Sequence, residues 1–287
     1  MTYEAYLTRL EQKILQRMTG EESVKRVRIL KNNGVELDGF SYYVEGHRER
    51  PTVYVNDYYR EELTDQELLT IADQILKTLR ESRMFSSQNL DQILDFEKIK
   101  NRIRYRLISR EKNEVLLREV PWVPFLDLAA VFYFRIPEEM VEHATALIRN
   151  GHMEFWEMTH EELSRTAIEN MAEEQVFLEP MESFMECAGF EPMSSGMYVL
   201  SNLQKEYGAA VIMDQRVQRM CCERLGEDFY IIPSSVHELL LLPESLSTGR
   251  EDLDCLIQEV NATCVSREEY LSGHAYFYSK AEGKISM

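Results

Sequence analysis

Hydrophobic positions at the start of the chain follow two periods in turn. Tyr3, Tyr6, Leu7, Leu10, Ile14 and Met18 recur at helical spacing, which predicts an amphipathic helix stopped by Gly20. Residues 24–30 then alternate, Lys31-Asn32-Asn33-Gly34 supplies turn chemistry, and 35–44 continue in strand composition. A β-hairpin is expected there, because Asn-Gly readily takes positive φ. Residues 52–56 read as a third strand, and Thr64-x-x-Glu67 forms a capping box ahead of Leu68, Leu69, Ala72, Ile75, Leu76 and Leu79. Residues 1–84 therefore read α-β-β-β-α. The polar, aperiodic Ser86-Ser-Gln-Asn-Leu-Asp91 is the expected connection to the rest of the chain.

From Lys98 to Leu107, Lys98, Lys100, Arg102, Arg104 and Arg106 alternate with Ile99, Asn101, Ile103, Tyr105 and Leu107, predicting a strand with one basic face. Residues 125–134 are apolar and aromatic apart from Asp127 and suit a buried strand. Asn150-Gly151, flanked by 144–149 and 153–156, signals a second hairpin. Thr159-x-x-Glu162 caps a helix through Leu163, Ala167, Ile168 and Met171. Short strands at 197–200, 209–213, 228–232, 238–242 and 275–278 and helices near 214–225 and 251–260 complete the chain. Helices alternate with strand pairs, so the expected class is α+β, with largely antiparallel sheets and helices packed on them. Two modules are expected, 1–84 and a larger acidic one over 96–287.

Charge changes this picture only when it is divided. Residues 1–120 hold 21 basic and 21 acidic side chains and residues 121–287 hold 11 and 29, so the net charge of −18 belongs to the second part. Carboxylates repel phosphates, so nucleic acid is not an expected partner, while basic protein surfaces and simple solubility are favoured. Glu4, Arg9, Glu11 and Lys13 interrupt any signal-peptide core. Pro124, Asp127 and Arg135 break the longest apolar run, 122–136, so no membrane span is expected. Cys187, Cys221, Cys222, Cys255 and Cys264 form an odd set without Cys-x-x-Cys, fitting a reducing cytoplasm and buried thiols better than disulfides or zinc.

Candidate chemistry is sparse. Neither glycine-rich phosphate motif occurs, so no cofactor is expected. His47, His143, His152, His160, His237 and His274 lack metal-ligand spacing, and no metal site is expected. The most suggestive segment is 228–243, where Ser234 or Ser235 could be activated by His237 with Glu238 orienting it. Triads, however, assemble from separate elements, and no G-x-S-x-G elbow surrounds these serines. The contrasting reading is a turn in which Pro233, Ser234, Ser235 and His237 satisfy backbone groups. Asp127, inside an apolar run, needs a partner, for which an arginine of the basic strand is expected, the alternative being a catalytic general base.

Lys31-Asn-Asn-Gly-Val35 with Pro51-Thr-Val-Tyr54, Phe125-Leu-Asp-Leu-Ala-Ala-Val-Phe-Tyr133, Glu162-Leu163 with Ala167 and Asn170, the 228–243 segment and Glu259-Val-Asn261 are carried together by this chain. As a set they resemble a domain-of-unknown-function family of anaerobic gut Firmicutes, over nearly the full length. The resemblance implies a bacterial cytoplasmic protein, in genomes where such genes often accompany mobile elements. It implies no activity and no catalytic residues. The expectation is a non-enzymatic protein with a protein partner. Two alternatives stand beside it: an acidic decoy that imitates nucleic acid, linked to mobile elements, and a serine hydrolase centred on Ser235 and His237.

Overall fold

In a computed structural model of the chain, the described residues are 1–46, 50–137, 144–183 and 195–287, with the backbone alone across 84–94. Two compact units divide them. The first takes Met1–Lys31 and Val35–Ile99; the second takes Asn32–Gly34, Lys100–Ile136 and the described chain from residue 144 onward. Both are built from helices and antiparallel sheets, an α+β fold.

In the first unit, helix α1 (Tyr3–Leu15) is N-capped by Thr2 and buries Tyr6, Leu7, Leu10 and Ile14 along one stripe. Strands β1 (Glu22–Leu30) and β2 (Glu36–Val44) pair antiparallel, and β3 (Thr52–Tyr54) joins the far edge of β2. Helix α2 (Asp65–Leu94) opens on the expected capping box of Thr64 and Glu67. Apolar side chains from both helices meet Val24, Phe40 and Tyr42 in one buried cluster. The expected connection at 86–91 is instead the last part of α2, since no glycine or proline in it stops the helix.

The second unit departs from expectation at several places. Residues 98–102 are helical, divided between α3 (Phe96–Ile99) and a 3-10 turn (Lys100–Arg102), and only β4 (Ile103–Ser109) keeps the alternation. The single strand expected over 125–134 is a hairpin of β5 (Trp122–Phe125) and β6 (Leu128–Arg135), with Leu126 and Asp127 as its two-residue turn. β6 also pairs with β4 and with β7 (Thr145–Leu147). Asn150-Gly151 starts helix α4 (Asn150–Phe155) and makes no hairpin: the Asn150 N–H and side-chain amide donate to the carbonyls of Glu119 and Arg118, contacts local sequence does not reveal. Helix α5 (His160–Met171) carries the second capping box, Thr159 with Glu162.

A six-stranded antiparallel sheet, in the order β13-β12-β10-β11-β9-β8, completes this unit. Its strands are β8 (Val176–Pro180), β9 (Tyr198–Asn202), β10 (Phe229–Ile232), β11 (Leu239–Pro243), β12 (Tyr276–Ser279) and β13 (Lys284–Ser286). The apolar run 209–213, expected as a strand, lies in a buried 3-10 helix, Gly208–Met213. Helices α6 (Gln215–Leu225) and α7 (Arg250–Thr263) follow the expected periodicity. Among the described residues, no helix is long and apolar enough to cross a membrane.

Candidate functional site

The β10–β11 connection holds Ser234, Ser235, His237 and Glu238. Ser235 Oγ accepts the backbone N–H of His237 at 3.0 Å, and the Ser235 N–H donates to the Glu238 carbonyl at 3.2 Å. Ser234 Oγ donates to Glu238 Oε1 at 3.5 Å. The imidazole looks the other way. Its Nδ1 accepts the Tyr207 N–H at 3.2 Å, which puts the ring proton on Nε2, 4.0 Å from Glu269 Oε1. Tyr207, held at φ 52, stacks on the imidazole at 5.4 Å, and the Arg106 guanidinium covers the tyrosine ring at 4.5 Å. The His237 carbonyl accepts Ser201 Oγ at 2.7 Å. Ser235 Oγ and His237 Nδ1 thus both accept from backbone N–H groups, and the imidazole is directed at Tyr207 and Glu269, not at a serine hydroxyl.

Asp127 is positioned quite differently. Leu126, before it, sits at φ 54, a left-handed conformation that a leucine adopts only under constraint. The turn presents the carboxylate to hydroxyls that lie about 150 residues further along the chain. Tyr276 donates to Oδ1 at 2.5 Å and Ser272 to Oδ2 at 3.1 Å. Burial, and then this hydrogen bond, push the Tyr276 phenol far above its ordinary range, so it stays a donor. The expected arginine partner is replaced by these two hydroxyls. Arg104 of the basic strand is occupied elsewhere: its Nε and, from β6, Arg135 Nη1 both reach Glu174 Oε1, at 2.5 and 2.8 Å, and the Glu174 side chain is only 4% exposed.

One edge of Asp127 lines a groove of about 550 Å3 with Arg110, Glu111, Glu114, Leu117, Arg118 and Trp122. Two 3-10 turns, Glu111–Asn113 and Leu116–Arg118, carry its wall. They are anchored from beneath: Asn113 and Asn33 exchange hydrogen bonds, Asn33 N–H to Asn113 Oδ1 and Asn113 Nδ2 to Asn33 Oδ1, each 2.8 Å. Leu117 packs into a small apolar cluster with Ile108, Val120 and Val131, against which Trp122 also rests. Arg110 lies 5.4 Å from the Trp122 ring, and Lys112 lies 3.9 Å from that of Tyr270. The rim is exposed and carries both signs of charge, while Asp127 and Trp122 are half-buried. Such a site sets an aromatic face and three carboxylates against two arginines, Arg110 and Arg118, and the excess of carboxylates suits a cationic side chain. Of these residues the sequence singled out Asp127 alone. A tryptophan within a dozen residues of two glutamates was visible, but the anchoring Tyr276 and Ser272 were not.

The remaining candidates have structural surroundings. Cys221 and Cys222 are buried free thiols, and burial pushes the Cys221 thiol up to about 12, far from a reactive thiolate. Cys255 and Cys264 are exposed. His152 accepts the Arg149 N–H and stacks on Trp156. His160 starts α5, and His274 Nδ1 lies 3.6 Å from Asp254. Cys187, His47 and His143 lie outside the described residues. Among the described residues, no three His, Cys, Asp or Glu side chains converge to hold a metal ion.

The model of a family of unknown function, DUF5688, matches residues 3–280. The chain belongs to that family. No curated protein and no solved structure matches it.

Proposed function

We propose that this member of the DUF5688 family acts by binding a protein partner, and that the groove over Trp122 and Asp127 receives a lysine or arginine side chain from it. The observation that carries this reading is the composition of the groove, where an indole face and the carboxylates of Glu111, Glu114 and Asp127 border one concavity. Cations are attracted to both, and Arg110 already rests against the indole in the unbound chain. An apolar centre with a charged, exposed rim is also the usual layout of a protein interface. The acidic balance of residues 121–287 favours encounter with a basic surface. The resemblance to proteins of anaerobic gut Firmicutes supports a bacterial cytoplasmic setting.

A photo-crosslinking residue at exposed Val115, one position from Glu114, tests this in the host cell. Mass spectrometry is expected to recover partner peptides in which a lysine or arginine lies at the crosslink, with yield falling at least tenfold in Trp122→Ala and Asp127→Asn. Acidic crosslinked peptides, or yields indifferent to both substitutions, would refute the groove as the contact.

A further inference from the structure

Strand pairing in the first unit sorts its charges onto two faces. Ser23, Lys25, Val27 and Ile29 of β1 stand opposite Tyr43, Ser41, Gly39 and Leu37 of β2, and Gly39 and Ser41 stand opposite Tyr54 and Thr52 of β3. Residues of the other parity, Val24, Phe40 and Tyr42, are buried in the unit's core. The strand carboxylates Glu22, Glu36 and Asp38 share that core-side parity, where Arg80, Arg28 and Arg26 pair with them. Among the described residues, the face turned away from the core has no acidic side chain along its strands and is bordered by cations. Lys25 Nζ and Arg50 Cζ lie 5.4 and 5.1 Å from the Tyr43 ring centroid, and Lys31 Nζ lies 4.3 Å from that of Tyr54.

Gly39 makes room for this surface. A Cβ there would stand 2.8 Å from the Val53 carbonyl oxygen and 3.1 Å from Thr52 Cγ2, so the missing side chain lets β3 close up against β2, with Tyr54 Cδ1 in ordinary contact range of the Gly39 position. Tyr43 lies four positions along β2 from Gly39, the partner of Tyr54, which puts the two tyrosine positions about 14 Å apart along the strand direction. That spacing suits bases that are not neighbours in one chain.

We infer that this face is a binding platform for single-stranded nucleic acid. Splayed bases stack on aromatic side chains of a sheet, while flexible cations beside the rings move to the phosphates. The even charge of residues 1–120 conceals the arrangement, because the carboxylates that balance it lie on the other face and elsewhere in the segment. The repulsion that argues against nucleic acid belongs to residues 121–287.

Fluorescence anisotropy of the full chain with labelled single-stranded DNA and RNA of about 16 nucleotides, the upper end of common site sizes, tests the inference. Tyr43→Ala and Tyr54→Ala are each expected to weaken binding about tenfold, the scale of one lost stack. Tyr54→Phe, which keeps the ring over Gly39, is expected to bind like the original chain. Replacing Lys25, Lys31 and Arg50 together by alanine is expected to reduce the slope of log affinity against log salt by about two. The inference is overturned if neither strand binds in dilute salt, if Tyr43→Ala melts normally and binds undiminished, or if polyglutamate competes as well as the oligonucleotides. The last result would mark a surface for acidic peptides.

Discussion

Glu174 shows how much a single side chain can organise when it is taken out of water. Arg104 and Arg135, 12% and 23% exposed, both spend their charge on it. Replacing one member of a buried ionic group leaves the rest uncompensated, so Glu174→Gln is expected to lower stability by about 3–5 kcal/mol in urea titration. His237 illustrates a gentler case. Its Nδ1 and ring face both serve Tyr207, so His237→Ala should cost about 1–2 kcal/mol, from one hydrogen bond and one stacking contact. In the sequence this histidine follows two serines closely, and that proximity carries no information about where the ring points. Asp127 was equally visible as a polar interruption of an apolar run. Its partners were not, because hydroxyls 145 and 149 residues away leave no local trace.

At the level of elements, legibility depends on whether the signal is local. Both capping boxes were readable, since a threonine and a glutamate three residues on satisfy each other's helix end without outside help. The 3-10 helix at 208–213 was not, because a short apolar run, buried from Gly208 to Ile212, has no periodicity to distinguish it from a strand. Helix α2 is also tied to the sheet it covers: Arg80 donates to both oxygens of Glu22 on β1, and Tyr42 donates to the same carboxylate. Arg80 first, with help from Tyr42 and the Thr19 N–H, holds the Glu22 carboxyl at about 2, against an ordinary 4.5. A depressed carboxylate stabilises the fold fully above its unfolded value and loses that contribution as acid protonates it. Stability of the first unit is therefore expected to decline between about pH 5 and pH 2, and Glu22→Gln should flatten that decline in circular-dichroism melts taken across the range.

Taken whole, the chain joins a first segment of balanced charge to an acidic remainder. Part of that acidity is taken up within the protein: the buried Glu174 carboxylate neutralises two arginines, and at the surface Asp214 caps α6 and binds Arg216. With a net charge of −18, solubility should pass through a minimum close to the isoelectric point of 4.9 and rise on either side, as turbidity against pH would record. Composition made this net repulsion readable from the start, whereas the sorting of charge onto particular sheet faces needed strand register to become visible.

The Asn33-Gly34 step can serve as a clock. Its amide nitrogen donates to the carbonyls of Arg267 and Tyr270, at 2.9 and 2.7 Å. An asparagine before glycine is the dipeptide most open to deamidation, in which the glycine nitrogen attacks the side-chain carbonyl, ammonia leaves, and water opens the resulting succinimide. Fastened as it is, the folded chain shelters this amide. A molecule that has spent time unfolded would return with an aspartate or isoaspartate there, a donor replaced by a negative oxygen facing two carbonyls. Aged material would then refold poorly for a chemical reason, and peptide mapping at this one step would reveal its history.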